Sequence, residues 1–162
     1  SPVCTAWQLM ARLSFAQSVA LYAEKVDATL DETGRAIALE LYGSIIKDTP
    51  VDTGRARGNW QASLDQPIET QSFDNEAGAV SKLETTVAGF KTGGIIWLSN
   101  NLPYIWALEF GGYGRGEGAT NKTTRDGYSV QAPYGMVRKN VTRVRNRIGR
   151  IARNLAKQKG LI

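Results

Sequence analysis

The sequence predicts an α+β fold: a long N-terminal helix and a basic C-terminal helix packed on a small, mainly antiparallel sheet. Three observations carry this. Apolar or small residues recur every three or four positions from Phe15 to Ile45, and a second such series runs from Val137 to Leu155. Between them, short β-rich runs alternate with turns and shorter helical patterns. At 162 residues the chain has the size of one domain. It divides into an N-terminal arm (1–14), a long helix (15–47), a glycine-rich loop (111–127) and a basic helix (135–159).

The long helix rests on Phe15, Val19, Tyr22, Val26, Leu30, Gly34, Ile37, Leu41 and Ile45. It would be ~50 Å long at 1.5 Å per residue, too long for the rest of a small domain to cover. Part of its apolar stripe is therefore expected to meet another chain. The competing reading breaks it near Gly34 into two core helices, because interior glycine weakens a helix. Pro50 pushes Thr49 out of helical geometry and ends the segment.

Asn59 to Leu64 alternates enough for a strand, closed by Pro67. Glu76 to Gly89 reads as a helix on Ala79, Val80, Leu83, Val87 and Phe90. Ile95 to Ser99 is the clearest strand by its Ile-Ile-Trp-Leu content. Pro103 to Phe110 suits a short helix with proline in its first turn. Five glycines between 111 and 118 mark a loop, and Tyr128 to Gln131 is a short strand candidate. In the last helix, Val137, Val141, Val144, Ile148, Ile151 and Leu155 form a narrow, seam-like stripe.

The net charge of +5 is unevenly spread. Residues 135–162 hold Arg138, Lys139, Arg143, Arg145, Arg147, Arg150, Arg153, Lys157 and Lys159 and no acid, so an acidic body of −4 carries a basic end of +9. Glu24 to Asp52 is the acidic counterpart, with seven acids against three bases. A basic helix of one subunit could dock on the acidic helix of the next, with Glu24, Asp27, Asp31, Arg143, Arg147 and Arg150 as interface candidates. The alternative is a nucleic-acid-binding protein that uses the C-terminal Arg/Lys helix. No aromatic residue follows Tyr134, so base stacking has no platform on that helix.

The chain has no histidine, and Cys4 is its one cysteine. That removes His-dependent acid/base chemistry, Cys–His and Ser–His pairs, Cys/His zinc sites and an intrachain disulfide framework. Carboxylate chemistry remains the enzymatic alternative. Asp52-Thr53-Gly54 matches the aspartic-protease triplet, but it follows Thr49-Pro50 rather than an apolar strand. Its structural reading is a helix start capped by Asp52 or Thr53. The run Gly111 to Gly118 fails as a phosphate loop, because Asn121 stands where glycine must precede Lys122-Thr123. Asp27, Asp31 and Glu32 could share a helix face, a pattern that is usually just solvated. No run approaches the ~20 apolar residues of a membrane helix, and Ser1 to Met10 lacks a basic signal-peptide start. The expectation is a soluble protein made in the cytoplasm.

Three stretches in order resemble the tail-completion (neck, or head–tail joining) proteins of long-tailed bacteriophages. They are Thr49-Pro50-Val51-Asp52-Thr53-Gly54-Arg55 through Trp60, Ser99-Asn100-Asn101-Leu102-Pro103-Tyr104 through Leu108-Glu109-Phe110-Gly111, and Gln131-Ala132-Pro133-Tyr134-Gly135-Met136-Val137. In the family the second and third lie close together. Here Gly112 to Val130 intervenes like an insertion, and its Arg115 and Glu117 become candidates for contact with a neighbour.

The resemblance implies a virion component in rings of six identical subunits, joining the DNA-filled head to the tail tube. Its implied partners are copies of itself and the adjacent connector, tail-terminator and tail-tube proteins, with DNA passing through the channel unread. It implies no catalysis, no cofactor, no metal and no membrane, and a life in the host cytoplasm during assembly. Pro50, Asp52, Thr53 and Gly54 then form a structural turn. Trp60, Trp97, Tyr104, Trp106 and Tyr134 serve core or inter-subunit packing rather than a ligand box. Glu109 reads either as a buried salt-bridge acid or as surface charge.

Overall fold

The computed structural model describes residues 14–112, 124 and 127–162. The N-terminal arm before Ser14, together with Arg115 and Glu117 of the glycine-rich loop, lies outside the described residues.

Helix α1 (Phe15–Asp48) starts at a capping box. Ser14 Oγ accepts from Gln17 N at 3.3 Å, and Gln17 Oε1 accepts from Ser14 N at 2.8 Å. It ends where Thr49 turns extended ahead of Pro50. The helix runs unbroken through Gly34, so the two-helix reading falls. The reason is packing: a Cβ at Gly34 would sit 2.4 Å from the Phe90 ring, so the glycine is a notch into which Phe90 fits. Arg35 Nε and Nη2 donate to the Phe90 carbonyl at 3.1 and 2.8 Å. Asp31 takes Lys91 Nζ at 2.9 Å and Thr92 N at 2.7 Å.

The remaining elements are α2 (Arg55–Gly58), β1 (Gln61–Ser63), α3 (Glu76–Ala88), β2 (Trp97–Ser99), α4 (Ile105–Phe110), α5 (Val137–Arg145) and α6 (Ile148–Gln158). The fold is α+β. Its sheet is one antiparallel pair with Gln61 opposite Ser99, Ala62 opposite Leu98 and Ser63 opposite Trp97. One side of α1, marked by Asp31, Gly34, Arg35 and Tyr42, meets α3 and the chain beyond it. The α5–α6 pair lies along another side of α1. The core joins Ala38, Ile45 and Ile46 of α1 to Trp60, Leu83, Val87, Leu102, Leu108 and Met136.

Three expectations are corrected. The strand expected at 59–64 keeps only its middle, because Asn59 and Trp60 complete the turn that ends α2. Tyr128 to Gln131 forms no strand: Ser129 makes an isolated bridge and Val130 and Gln131 turn. The Gln131 side chain takes the place of a strand partner, accepting from Val51 N and donating to Val51 O at 2.8 Å each. The basic segment is two helices, parted at Asn146–Arg147, each of which packs on α1. The expected seam forms in part: Val144 is buried and Val137, Ile151 and Leu155 are half-buried, while Val141 and Ile148 are exposed and Asn140 is buried in their stead. Among the described residues no helix is long and apolar enough to cross a membrane.

Candidate functional site

The three stretches that carry the sequence resemblance meet in one place. Asn59 Nδ2 donates to Asn100 Oδ1 at 2.7 Å, and Asn100 Nδ2 donates to the Ala56 carbonyl at 2.9 Å, fastening the first stretch to the second. Asn59 Oδ1 accepts from Ser72 N at 2.7 Å, which pins the following loop. Gln131 holds Val51 from the third stretch. Trp60 donates its indole N–H to Thr49 Oγ1 at 2.8 Å, and that hydroxyl donates onward to the Ile45 carbonyl at 2.7 Å. An open groove of about 250 Å³ lies between the second and third stretches, its wall mostly apolar (Trp60, Ile105, Trp106, Phe110, Met136 and Val137) with Asn100, Glu109 and Arg138 at its edge.

Glu109 joins the second stretch to the third. It is 6% exposed, and its carboxylate accepts from the backbone N–H groups of Met136, Val137 and Arg138 at 2.8, 2.7 and 2.9 Å. These are donors at the open start of α5, which a helix cannot satisfy itself. Arg138 adds Nε to the carboxylate at 3.0 Å and Nη2 to the Glu109 carbonyl at 2.8 Å. Burial pushes the Glu109 carboxyl upward, but the three N–H groups and Arg138 outweigh it and hold it below the ordinary glutamate value. Gly135 is required beside it: its φ is +76°, and a Cβ there would stand 2.5 Å from the Glu109 carbonyl oxygen. Of the two sequence readings of Glu109, the buried acid paired with arginine is the one that forms. The backbone donors were not foreseen.

The residue ahead of α2 is Gly54, left-handed at φ +82°, which has no side chain to cap with. Of the two expected capping residues, Thr53 serves the helix start: its Oγ1 accepts from Arg55 N, the first N–H of α2, at a long 3.5 Å, while Asp52 is exposed on the turn after Pro50. Arg57, on α2, donates Nε to the Thr49 carbonyl at 2.7 Å and pairs with Glu76 at 2.8 Å.

The basic end and α1 are complementary within one chain, and of the interface candidates Arg147 takes part. Lys139 pairs with Asp48 at 2.9 Å, Arg147 with Glu40, and Lys159 with Glu32 at 2.8 Å, so three acids eight residues apart on α1 each hold a cation of the basic end. Asp31 is also engaged: Lys91 and the Thr92 N–H hold its carboxyl down to about 2. Glu24, Asp27, Arg143 and Arg150 are exposed. Arg143 helps, with Asn140 and Lys139, to keep Asp48 below the usual aspartate value against the upward push of its partial burial.

The five aromatic candidates divide. Trp60 is in the core and Tyr104 packs against it. Trp97, Trp106 and Tyr134 are exposed, the last two at 70% and 76%. Trp106 meets Phe110 edge-on with centroids 4.2 Å apart, and Arg138 lies over the Phe110 ring at 4.6 Å.

The amides and carboxylate of this junction are engaged with one another, so the shared residue pattern is here a device for joining distant segments. Sequence reasoning noted the three stretches and missed that they touch. The signal lay in their amide- and glycine-rich makeup, which suits close backbone approach. Among the described residues, no three of His, Cys, Asp or Glu lie close enough to hold a metal. No family model, no curated protein and no solved structure matches this chain.

Proposed function

We propose that this protein is a structural component of a bacteriophage neck, a ring-forming tail-completion subunit between the DNA-filled head and the tail tube. The order of the three sequence stretches supports the reading, and so does their use as internal joints. The observation that carries it furthest is the uncovered end of α1. Packing by α6 reaches down α1 only to about Lys25, near which Gly160 lies. Beyond it, Phe15 is 86% exposed, and Val19, Leu21 and Tyr22 are exposed with it.

Phe15, Val19 and Tyr22 fall on one face at helical spacing. An apolar helix end that leaves its own domain is a surface for another subunit. Such contacts between unlike patches of identical chains form rings where the rotation between subunits closes. On this reading the partners are copies of the chain and the neighbouring connector, tail-terminator and tail-tube proteins, and the mature location is the virion.

Peptide mapping of purified virions, followed by electron microscopy of the neck, tests the reading. The expected result is the chain in the virion as one ring at the head–tail joint. Its absence from infectious particles overturns it.

A further inference from the structure

Eight of the nine cations of the basic end fall into two sets once their partners are known; the ninth, Arg143, is exposed and acts on Asp48 through its charge. Arg138, Lys139, Arg147 and Lys159 turn toward the acids Glu109, Asp48, Glu40 and Glu32, each pairing with one of them while its side chain stays 39–52% exposed. Arg145, Arg150, Arg153 and Lys157 are exposed and make no ion pair among the described residues. The Arg153 Nε donates only to the Gly149 carbonyl of its own helix, at 3.2 Å. On α6, Arg150, Arg153 and Lys157 stand at i, i+3 and i+7 and form one stripe. Ile151 and Leu155, half-buried, lie on the opposite side.

An ordinary solvated helix face mixes both signs of charge. Residues 135–162 contain no Asp or Glu, so this face is of one sign throughout. Its chemistry also selects among anionic partners. A protein partner needs an apolar centre, yet the residues beside the stripe are Gly149 and Asn154. A single strand needs stacking platforms, and neither α5 nor α6 has an aromatic residue. Duplex phosphates need only cations at close spacing. The stripe spans about 10 Å at 1.5 Å per residue, along which a duplex carries about six phosphate charges.

We infer that the outward face of α6, with Arg145 of α5, is a binding surface for the phosphate backbone of double-stranded DNA, without sequence preference. The inference deepens the neck reading, on which its biological setting rests, by naming the face turned to the DNA in the channel. The paired cations are excluded from this role because α1 and Glu109 already hold them.

The test is fluorescence anisotropy of the full chain with a labelled random-sequence duplex as salt rises from about 50 to 200 mM. With four cations engaged, log K is expected to fall against log salt with a slope of about −3 to −4. The triple variant Arg150→Gln, Arg153→Gln, Lys157→Gln should bring the slope to about −1. Arg150→Gln alone should lower its magnitude by about 1. Glutamine keeps helix propensity, and circular dichroism checks the fold. Lys139→Gln, which removes a paired cation, should leave the slope within about 0.5 of the parent's.

The inference is overturned by no duplex binding at the lowest salt, by an unchanged slope in the triple variant, or by tighter binding to a single strand or a polyglutamate peptide. Absence of the chain from virions would overturn the neck reading and leave a positive binding result standing. Failed duplex binding by a chain found in the neck would overturn this assignment alone.

Discussion

Glu109 and Arg138 clasp each other twice: Arg138 Nε reaches the Glu109 carboxylate at 3.0 Å while its Nη2 reaches the Glu109 carbonyl at 2.8 Å. The clasp sits where α4 ends and α5 begins, so it fixes the entry of the whole basic end into the domain. Because the same carboxylate takes three backbone N–H groups, its loss leaves several buried donors without partners. Glu109→Ala should destabilise the fold by about 2–4 kcal/mol, the range for breaking buried charged hydrogen bonds. Urea unfolding monitored by tryptophan fluorescence measures this. A change under about 0.5 kcal/mol would show that the clasp is ornamental.

Gly58 ends α2 against the chain at Asp74. A Cβ there would lie 1.7 Å from the Asp74 carbonyl oxygen and 2.5 Å from its carbon, both backbone atoms that cannot swing aside. Gly58→Ala should therefore cost about 3 kcal/mol or more by forced backbone displacement. Thermal unfolding of the variant checks it, and a melting point equal to the parent's would refute the close approach.

Acid stability follows from the carboxylates. Asp31, Asp48, Asp74 and Glu109 all have folded values below their ordinary ones, Asp31 at about 2. A lowered folded pKa contributes stability that is complete above the unfolded value of about 4 and is lost as pH falls through the folded value. With no histidine, stability should stay flat from about pH 5 to 7 and fall steadily below about pH 4. Asp31→Asn should flatten the part of that fall between about pH 4 and 2. Unfolding midpoints across pH 2–7 decide it; a step near pH 6.5 would contradict it.

On the proposed ring, the exposed end of α1 separates folding from assembly. Phe15, Val19 and Tyr22 touch little of their own domain, so replacing all three by serine should shift unfolding by only about 0.5 kcal/mol per site. Self-association should nevertheless be lost. Sedimentation velocity on both proteins reads the outcome, and equal oligomerisation would place the subunit contact elsewhere.

Local signals proved the readable ones. The end of α1 was plain because Pro50 acts within two residues of the stop it sets, and the starts of α1 and α3 because their apolar spacing begins there. The caps that fix those starts, Ser14 with Gln17 and Asn75 Oδ1 accepting from Gly78 N at 2.8 Å, are equally local and went unread. The strand candidate at Tyr128–Gln131 failed because its partner choice is non-local. Gln131 bonds Val51 from 80 residues away through its side chain. The junction was legible as three motifs and illegible as a site, since Asn59 and Asn100 meet across 41 residues of chain. The break at Asn146–Arg147 was likewise hidden, because an apolar spacing of 3 and 4 continues through it.

By itself, the sequence determined the fold class, the start and stop of the long helix, and the division into an acidic body and a basic end. Composition and short-range sterics suffice for these. Tertiary structure alone decided which cations are paired with an acid and which are not. Arg147 and Arg150 are three residues apart, look alike in the sequence and are both exposed, yet only Arg147 has an acid, Glu40, beside it among the described residues. Charges attract appreciably only within about 10 Å at ordinary salt, so their pairing is settled by where the folded chain brings them, not by their order along it.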